Sequence, residues 1–209
     1  MRIVIFGATG GIGRCLVDQA LALDHSVTAA VRNPARMTVT HERLRVVPCD
    51  VMDAAAVLAA VDGQQAVLCA LGTDAKGPTR LYSQSTRNMI AAMEEKAVRR
   101  LILVSTFLVF SETPRDLGGK AMLLIGRIYL RNILPDQRQA LEEVRQSRLE
   151  WVVVRPLALV NAPGTGSYRV ALDGLPPRGR RIARADVADF MLKQLTSNEY
   201  VRTIPSLAY

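Results

Sequence analysis

Apolar and polar positions alternate in blocks along the chain. Short runs rich in β-branched and aliphatic residues occupy 3–6, 26–31, 44–47, 66–71, 101–104 and 151–154. Runs of this length and composition read as strands buried on both faces. Between them the period lengthens to that of a helix, near 13–23, 53–61, 79–95 and 138–147. The 79–95 segment shows it plainly, with Leu81, Ser85, Met89, Ala92 and Met93 on one face. A last helix is expected over 185–195, where Asp186 and Asp189 fall in the first turn and are read as stabilising the helix end. Strands alternating with helices predict a single α/β domain over 1–209, a doubly wound parallel sheet with right-handed crossovers. In such a sheet ligands sit beyond the C-terminal ends of the strands.

Two segments break the alternation, around 111–134 and 157–182. The first opens as a loop and becomes an apolar helix over 120–134, with Lys120, Arg127 and Arg131 on one face. It is read as a packed helix with a solvated basic face, a lid or a membrane- or partner-facing helix being the other readings. Residues 157–172, with Asn161, Pro163, Gly164 and Gly166, are read as irregular.

Composition narrows the class. With 209 residues, 49% hydrophobic and 22% charged, the chain has the length and apolar content of one substantial core. No apolar run reaches the length of a membrane span, and residues 3–6 are too short for a signal sequence. Cys15, Cys49 and Cys69 are odd in number and set among apolar neighbours, so they read as reduced core thiols, with a cytoplasmic setting as the default. With only His25 and His41, a multi-histidine zinc site is not expected. The net charge of +8 would suit a phosphate-rich ligand, an acidic surface or a nucleic acid. Aromatic residues make up only 5% and no nucleic-acid motif is present, so no nucleic-acid partner is expected.

The most informative stretch is the first. Strand 3–6 runs into Gly7-Ala-Thr9-Gly10-Gly11-Ile12-Gly13 and then into an apolar helix. Glycines at a strand-to-helix turn let the chain reverse and let backbone approach a phosphate, while the helix N-terminus offers unpaired N–H groups. The spacing fits G-x-x-G-x-x-G at 7, 10 and 13, and also G-x-x-x-G-x-G at 7, 11 and 13. Both patterns resemble the short-chain dehydrogenase/reductase superfamily, which implies a Rossmann-like sheet. They also make Gly7, Thr9, Gly10, Gly11, Ile12 and Gly13 the expected contacts to a dinucleotide's diphosphate. The second strand ends Val31-Arg32-Asn33-Pro34-Ala35-Arg36, with no carboxylate to hold a free ribose 2′-hydroxyl. A guanidinium there accepts a 2′-phosphate, so NADP(H) is the expected cofactor, held by Arg32 with help from Arg36. Further contacts are expected from Asp50 and Val51, Leu71, Gly72 and Thr73, Ser105, and Pro156, each beyond the end of a strand.

The Tyr-x-x-x-Lys pair of the tyrosine-dependent members is missing, since Tyr82, Tyr129 and Tyr168 are followed four residues later by Thr86, Ile133 and Leu172. The chain therefore resembles the atypical, NmrA-like branch, and within it the biliverdin reductase B/flavin reductase group. That likeness rests on Gly7-Ala-Thr-Gly10, Val31-Arg32, Leu71-Gly72-Thr73, Arg87-Asn88, Val104-Ser105, Gly166-Ser-Tyr168 with Leu172-Asp-Gly174, and Asp189-Phe-Met-Leu192. It implies NADPH-dependent reduction of a flavin, linear tetrapyrrole or quinone-like acceptor, with Ser105 the catalytic serine beside the nicotinamide. Two departures are the Leu157-Ala158 pair where that group carries a histidine, and the longer helix over 118–134. The alternative is a non-catalytic NADP(H) sensor, as NmrA-like proteins also include. The sequence leaves the oligomeric state open.

Overall fold

The computed structural model describes residues 1–73, 77–109, 124–128, 130–177 and 179–209. Six strands, β1 (Arg2–Phe6), β2 (Ser26–Val31), β3 (Leu44–Pro48), β4 (Ala66–Cys69), β5 (Arg100–Val104) and β6 (Glu150–Pro156), form a parallel sheet in the order 3-2-1-4-5-6. Its crossover helices are α1 (Gly11–Ala22), α2 (Ala54–Val61), α3 (Leu81–Glu95) and α4 (Leu134–Gln146). The helix α5 (Arg184–Lys193) follows the small strand β9 (Arg181–Ala183). The strand order reverses between β1 and β4, the crevice where open α/β sheets take ligands.

The two faces of β1 show why the chain takes this form. Ile3 and Ile5 belong to one apolar cluster, shared with α1 and α5, whereas Val4 and Phe6 belong to a second, shared with α2, α3 and α4. All four are wholly buried. Period-two alternation thus feeds two cores, one on each side of the sheet.

Helix ends follow local chemistry. Asp53 caps α2, its carboxylate accepting from the N–H groups of Ala55 (2.9 Å) and Ala56 (3.3 Å). Helix α3 has a local acceptor only for Leu81 N–H, the Thr79 hydroxyl at 3.0 Å, and its N-cap residue Arg80 makes no side-chain bond. Asp136 of α4 completes the cap across the helix pair, accepting from Tyr82 N–H at 2.8 Å, Ser83 N–H at 3.1 Å and the Ser83 hydroxyl at 2.5 Å. Helix α4 starts four residues before the position expected from periodicity, at Leu134, because Pro135 sits in its first turn, where proline is compatible with a helix.

Other departures fall at three places along the chain. Residues 157–172 are not wholly irregular: β7 (Ala158–Val160) pairs in parallel with β9, and β8 (Arg169–Ala171) pairs antiparallel with β10 (Ser206–Ala208), which joins β6. Strand β4 stops at Cys69, before Leu71, where the chain turns out beside Gly7. Of the expected basic helix over 120–134, residues 124–128 and Leu130 are helical, and Lys120 lies outside the described residues, as do 111–119. Leu124, Ile125 and Ile128 are exposed, while Leu130 packs on the core.

Candidate functional site

The site begins where β1 meets α1. Gly7 has φ +80°, a conformation side chains resist, and a Cβ there would stand 2.5 Å from the carbonyl oxygen of Ala70. Strand ends β1 and β4 therefore touch through bare backbone. A Cβ on Gly13 would come within 2.0 Å of the Gly7 carbonyl, so the helix seats directly on the turn. Gly10 caps α1 without a side-chain hydrogen bond, and the first helical bond runs from Arg14 N–H to Gly10 at 2.9 Å. The N–H groups of Gly11, Ile12 and Gly13 thus stand outside the helical ladder, at the positive end of α1. This cradle fits a dinucleotide diphosphate: backbone donors, no obstructing Cβ, and no carboxylate in the first turn.

The remaining expected residues ring the same sheet edge with different surroundings. Thr9 is half-buried, its carbonyl accepting from Arg14 Nε at 3.2 Å, and Ile12 turns inward to the α1 core. Arg32 and Arg36 are exposed just past β2, with no side-chain partner among the described residues. Asp50 is exposed, and its carboxylate already accepts from Met52 N–H at 3.0 Å. The Val51 side chain is part of the core, while its carbonyl accepts from Asn88 Nδ2 at 2.9 Å. Leu71 packs partly on the core, and Gly72 has open space where a Cβ would go. Pro156 ends β6, in register with Leu207.

Ser105 follows β5, anchored through its N–H to the Val154 carbonyl at 2.9 Å. Its half-buried hydroxyl makes no hydrogen bond among the described residues. The residue borders a small recess between the ends of β4 and β5 and helices α3 and α4. Leu71, Tyr82, Thr86 and Gln137 line it too. Burial pushes the pKa of the Tyr82 phenol up, against the opposing influence of the nearby Gln137 side chain and Thr73 backbone. Neither Tyr82 nor Gln137 stands out in the sequence, because their pairing needs α3 and α4 side by side.

Several groups are committed elsewhere. Arg155, next to Pro156, is buried and holds the fold together, Nε donating to the Ser206 hydroxyl (2.7 Å) and Nη2 to the Gly174 carbonyl (2.8 Å). Asp186 does more than favour a helix end. It accepts from Thr165 N–H (2.8 Å), Gly166 N–H (2.8 Å) and the Tyr209 hydroxyl (2.5 Å). Burial works to raise its pKa, and these bonds outweigh it, leaving the carboxyl below its ordinary value. Tyr168 does meet a lysine in space, Lys193 Nζ at 3.4 Å from the hydroxyl. The phenol instead donates to Asp189 at 2.6 Å, and burial with that bond drives its pKa up. This pair lies towards the far end of α5 from Arg184, so it does not replace the missing catalytic dyad. Cys49 and Cys69 are buried free thiols with pKa values pushed up to about 11 by burial.

Fold and cradle together define a dinucleotide-binding protein of the doubly wound class. The NAD(P)H-binding family profile matches residues 7–198, and the chain belongs to that family; NAD(P)H is its cofactor. An uncharacterised chloroplastic protein of Arabidopsis thaliana is 28% identical over 207 residues, which span 95% of this chain and 73% of that one. A 3-diazoavenalumate denitrifying reductase of Streptomyces is 33% identical over 127 residues, 55% of this chain and 40% of its own. Among solved structures, a short-chain dehydrogenase/reductase of Veillonella parvula in complex with NADP superposes with a TM-score of 0.81 at 21% identity, covering 100% of this chain and 94% of that one.

Proposed function

We propose that the protein is an NADPH-dependent reductase whose acceptor is a planar conjugated molecule: a flavin, a linear tetrapyrrole or a quinone-like compound. The observation that carries this is the Ser105 hydroxyl at the end of β5, unbonded among the described residues, on the ligand edge of the sheet and beside a largely apolar recess. NADPH, when bound, supplies the hydride. The glycine turn holds the diphosphate, Arg32 and Arg36 the 2′-phosphate, and Ser105 a carboxamide or acceptor carbonyl. What the chain adds is orientation and exclusion of water. A delocalised acceptor takes its proton from solvent, so the absence of a Tyr-x-x-x-Lys pair is compatible with turnover. The Streptomyces reductase among the relatives and the NADP held by the Veillonella protein support the reading without reaching this chain's own substrate.

The test is a screen of NADPH oxidation against FMN, riboflavin, biliverdin and quinones. Turnover with at least one of them is expected. Tight NADPH binding with no turnover across the panel would favour a second reading, an NADP(H) sensor, which the missing dyad and the commitment of Tyr168 to Asp189 also suit.

A further inference from the structure

Arg184, the first residue of α5, has a place that neither the sequence pattern nor the family assignment gives it. A Cβ on Gly11 would stand 2.6 Å from its Cδ and 2.7 Å from its Nε, so the arginine stem lies flat on the first residue of α1. Nη1 donates to Asn161 Oδ1 at 2.7 Å, from the segment that follows β7. The nearby carboxylate of Asp186 is taken up by Thr165, Gly166 and Tyr209. Arg184 has no acidic partner among the described residues. A guanidinium held by a neutral amide has its charge uncompensated, and here its Nε lies over Gly11, the first residue of α1.

We infer that Arg184 is a second ligand for the cofactor's diphosphate, closing over the phosphates that the N-terminus of α1 receives from the other side. Asn161 is its positioning residue: it fixes the plane of the guanidinium and ties it to the 161–163 segment. The requirement for glycine at position 11 follows, because any side chain there would lift the arginine off the turn. The inference rests on the reading that the glycine turn holds the diphosphate.

The contact would serve NADPH and NADH alike, since both carry the diphosphate. In equilibrium titrations, Arg184→Gln and Arg184→Met should raise both dissociation constants by about tenfold or more, by a similar factor for each. The salt dependence of binding should flatten in both variants and persist in Arg184→Lys. Thermal melts of the free proteins separate binding from folding, and the neutral variants should melt close to wild type. Affinities within twofold of wild type for both cofactors would overturn the inference. So would a loss confined to NADPH, which would move Arg184 to the 2′-phosphate, or failure of both neutral variants to fold, which would make the residue structural. Wild-type protein that bound neither cofactor would instead sink the glycine-turn reading itself.

Discussion

At the scale of single residues, the cofactor edge divides into groups the fold uses and groups it leaves available. Arg32 is exposed past β2 and unengaged among the described residues, which is what a 2′-phosphate ligand requires. A charge-assisted contact of about 1.5–3 kcal/mol corresponds to roughly 10- to 150-fold in affinity. Arg32→Ala should therefore weaken NADPH by that order and leave NADH nearly untouched; titration with both cofactors reads the difference, and a similar small loss for each would return Arg32 to the solvated surface. Ser105→Ala should lower turnover by roughly two- to tenfold, as one net hydrogen bond of about 0.5–1.5 kcal/mol implies, with NADPH affinity within a few-fold. Unchanged turnover would leave the hydroxyl as a mere finish to β5.

At the scale of elements, two glycines at the same edge have opposite reasons to be there. Gly13 is demanded by the fold, because a Cβ would meet the Gly7 carbonyl at 2.0 Å, whereas Gly72 has nothing within 4 Å. Gly13→Ala should cost on the order of 3 kcal/mol or more of stability by forcing α1 off the turn. Gly72→Ala should melt like wild type and lose cofactor affinity if dinucleotide passes there; calorimetry and titration of the pair separate the two roles. The glycine turn was legible in the sequence because strand, turn and helix are contiguous. The six long strands were legible for the same reason, each carrying enough apolar residues to show its class. The strands β7 to β10 were not: three residues hold no period, and their pairing is decided by partners far along the chain. The contacts of Arg184 with Gly11 and of Tyr82 with Gln137 escaped for that reason too.

At the scale of the whole molecule, Asp186 joins three distant parts: the 165–166 segment, the start of α5 and Tyr209, whose hydroxyl also accepts from Ala183 N–H at 3.1 Å. Its pKa is lowered in the folded state, so the carboxylate contributes stability above the ordinary carboxyl range. That stability is lost as pH falls through the lowered value. Melting temperature should therefore drop from about pH 4 downward. Asp186→Asn should lower the melting temperature at neutral pH and flatten the acid limb, because the variant no longer titrates. An acid limb unchanged in the variant would assign acid sensitivity to other carboxylates.

The cap that Asp136 lends to α3 has a consequence for the order in which the molecule opens. In the first turn of α3 the Thr79 hydroxyl takes only the Leu81 N–H, at 3.0 Å, and the amides of Tyr82 and Ser83 are bonded only when α4 is docked. Amide hydrogen exchange at these two positions should thus report the undocking of α4 rather than fraying of α3. In Asp136→Ala the two amides should exchange much faster while those of Met89 and Ala92, deep in the core, keep their protection. Tyr82 borders the recess beside Ser105, so the same opening would reshape the acceptor side of the site. Docking of α4 and the lifetime of that recess are one motion, to be timed by two protons.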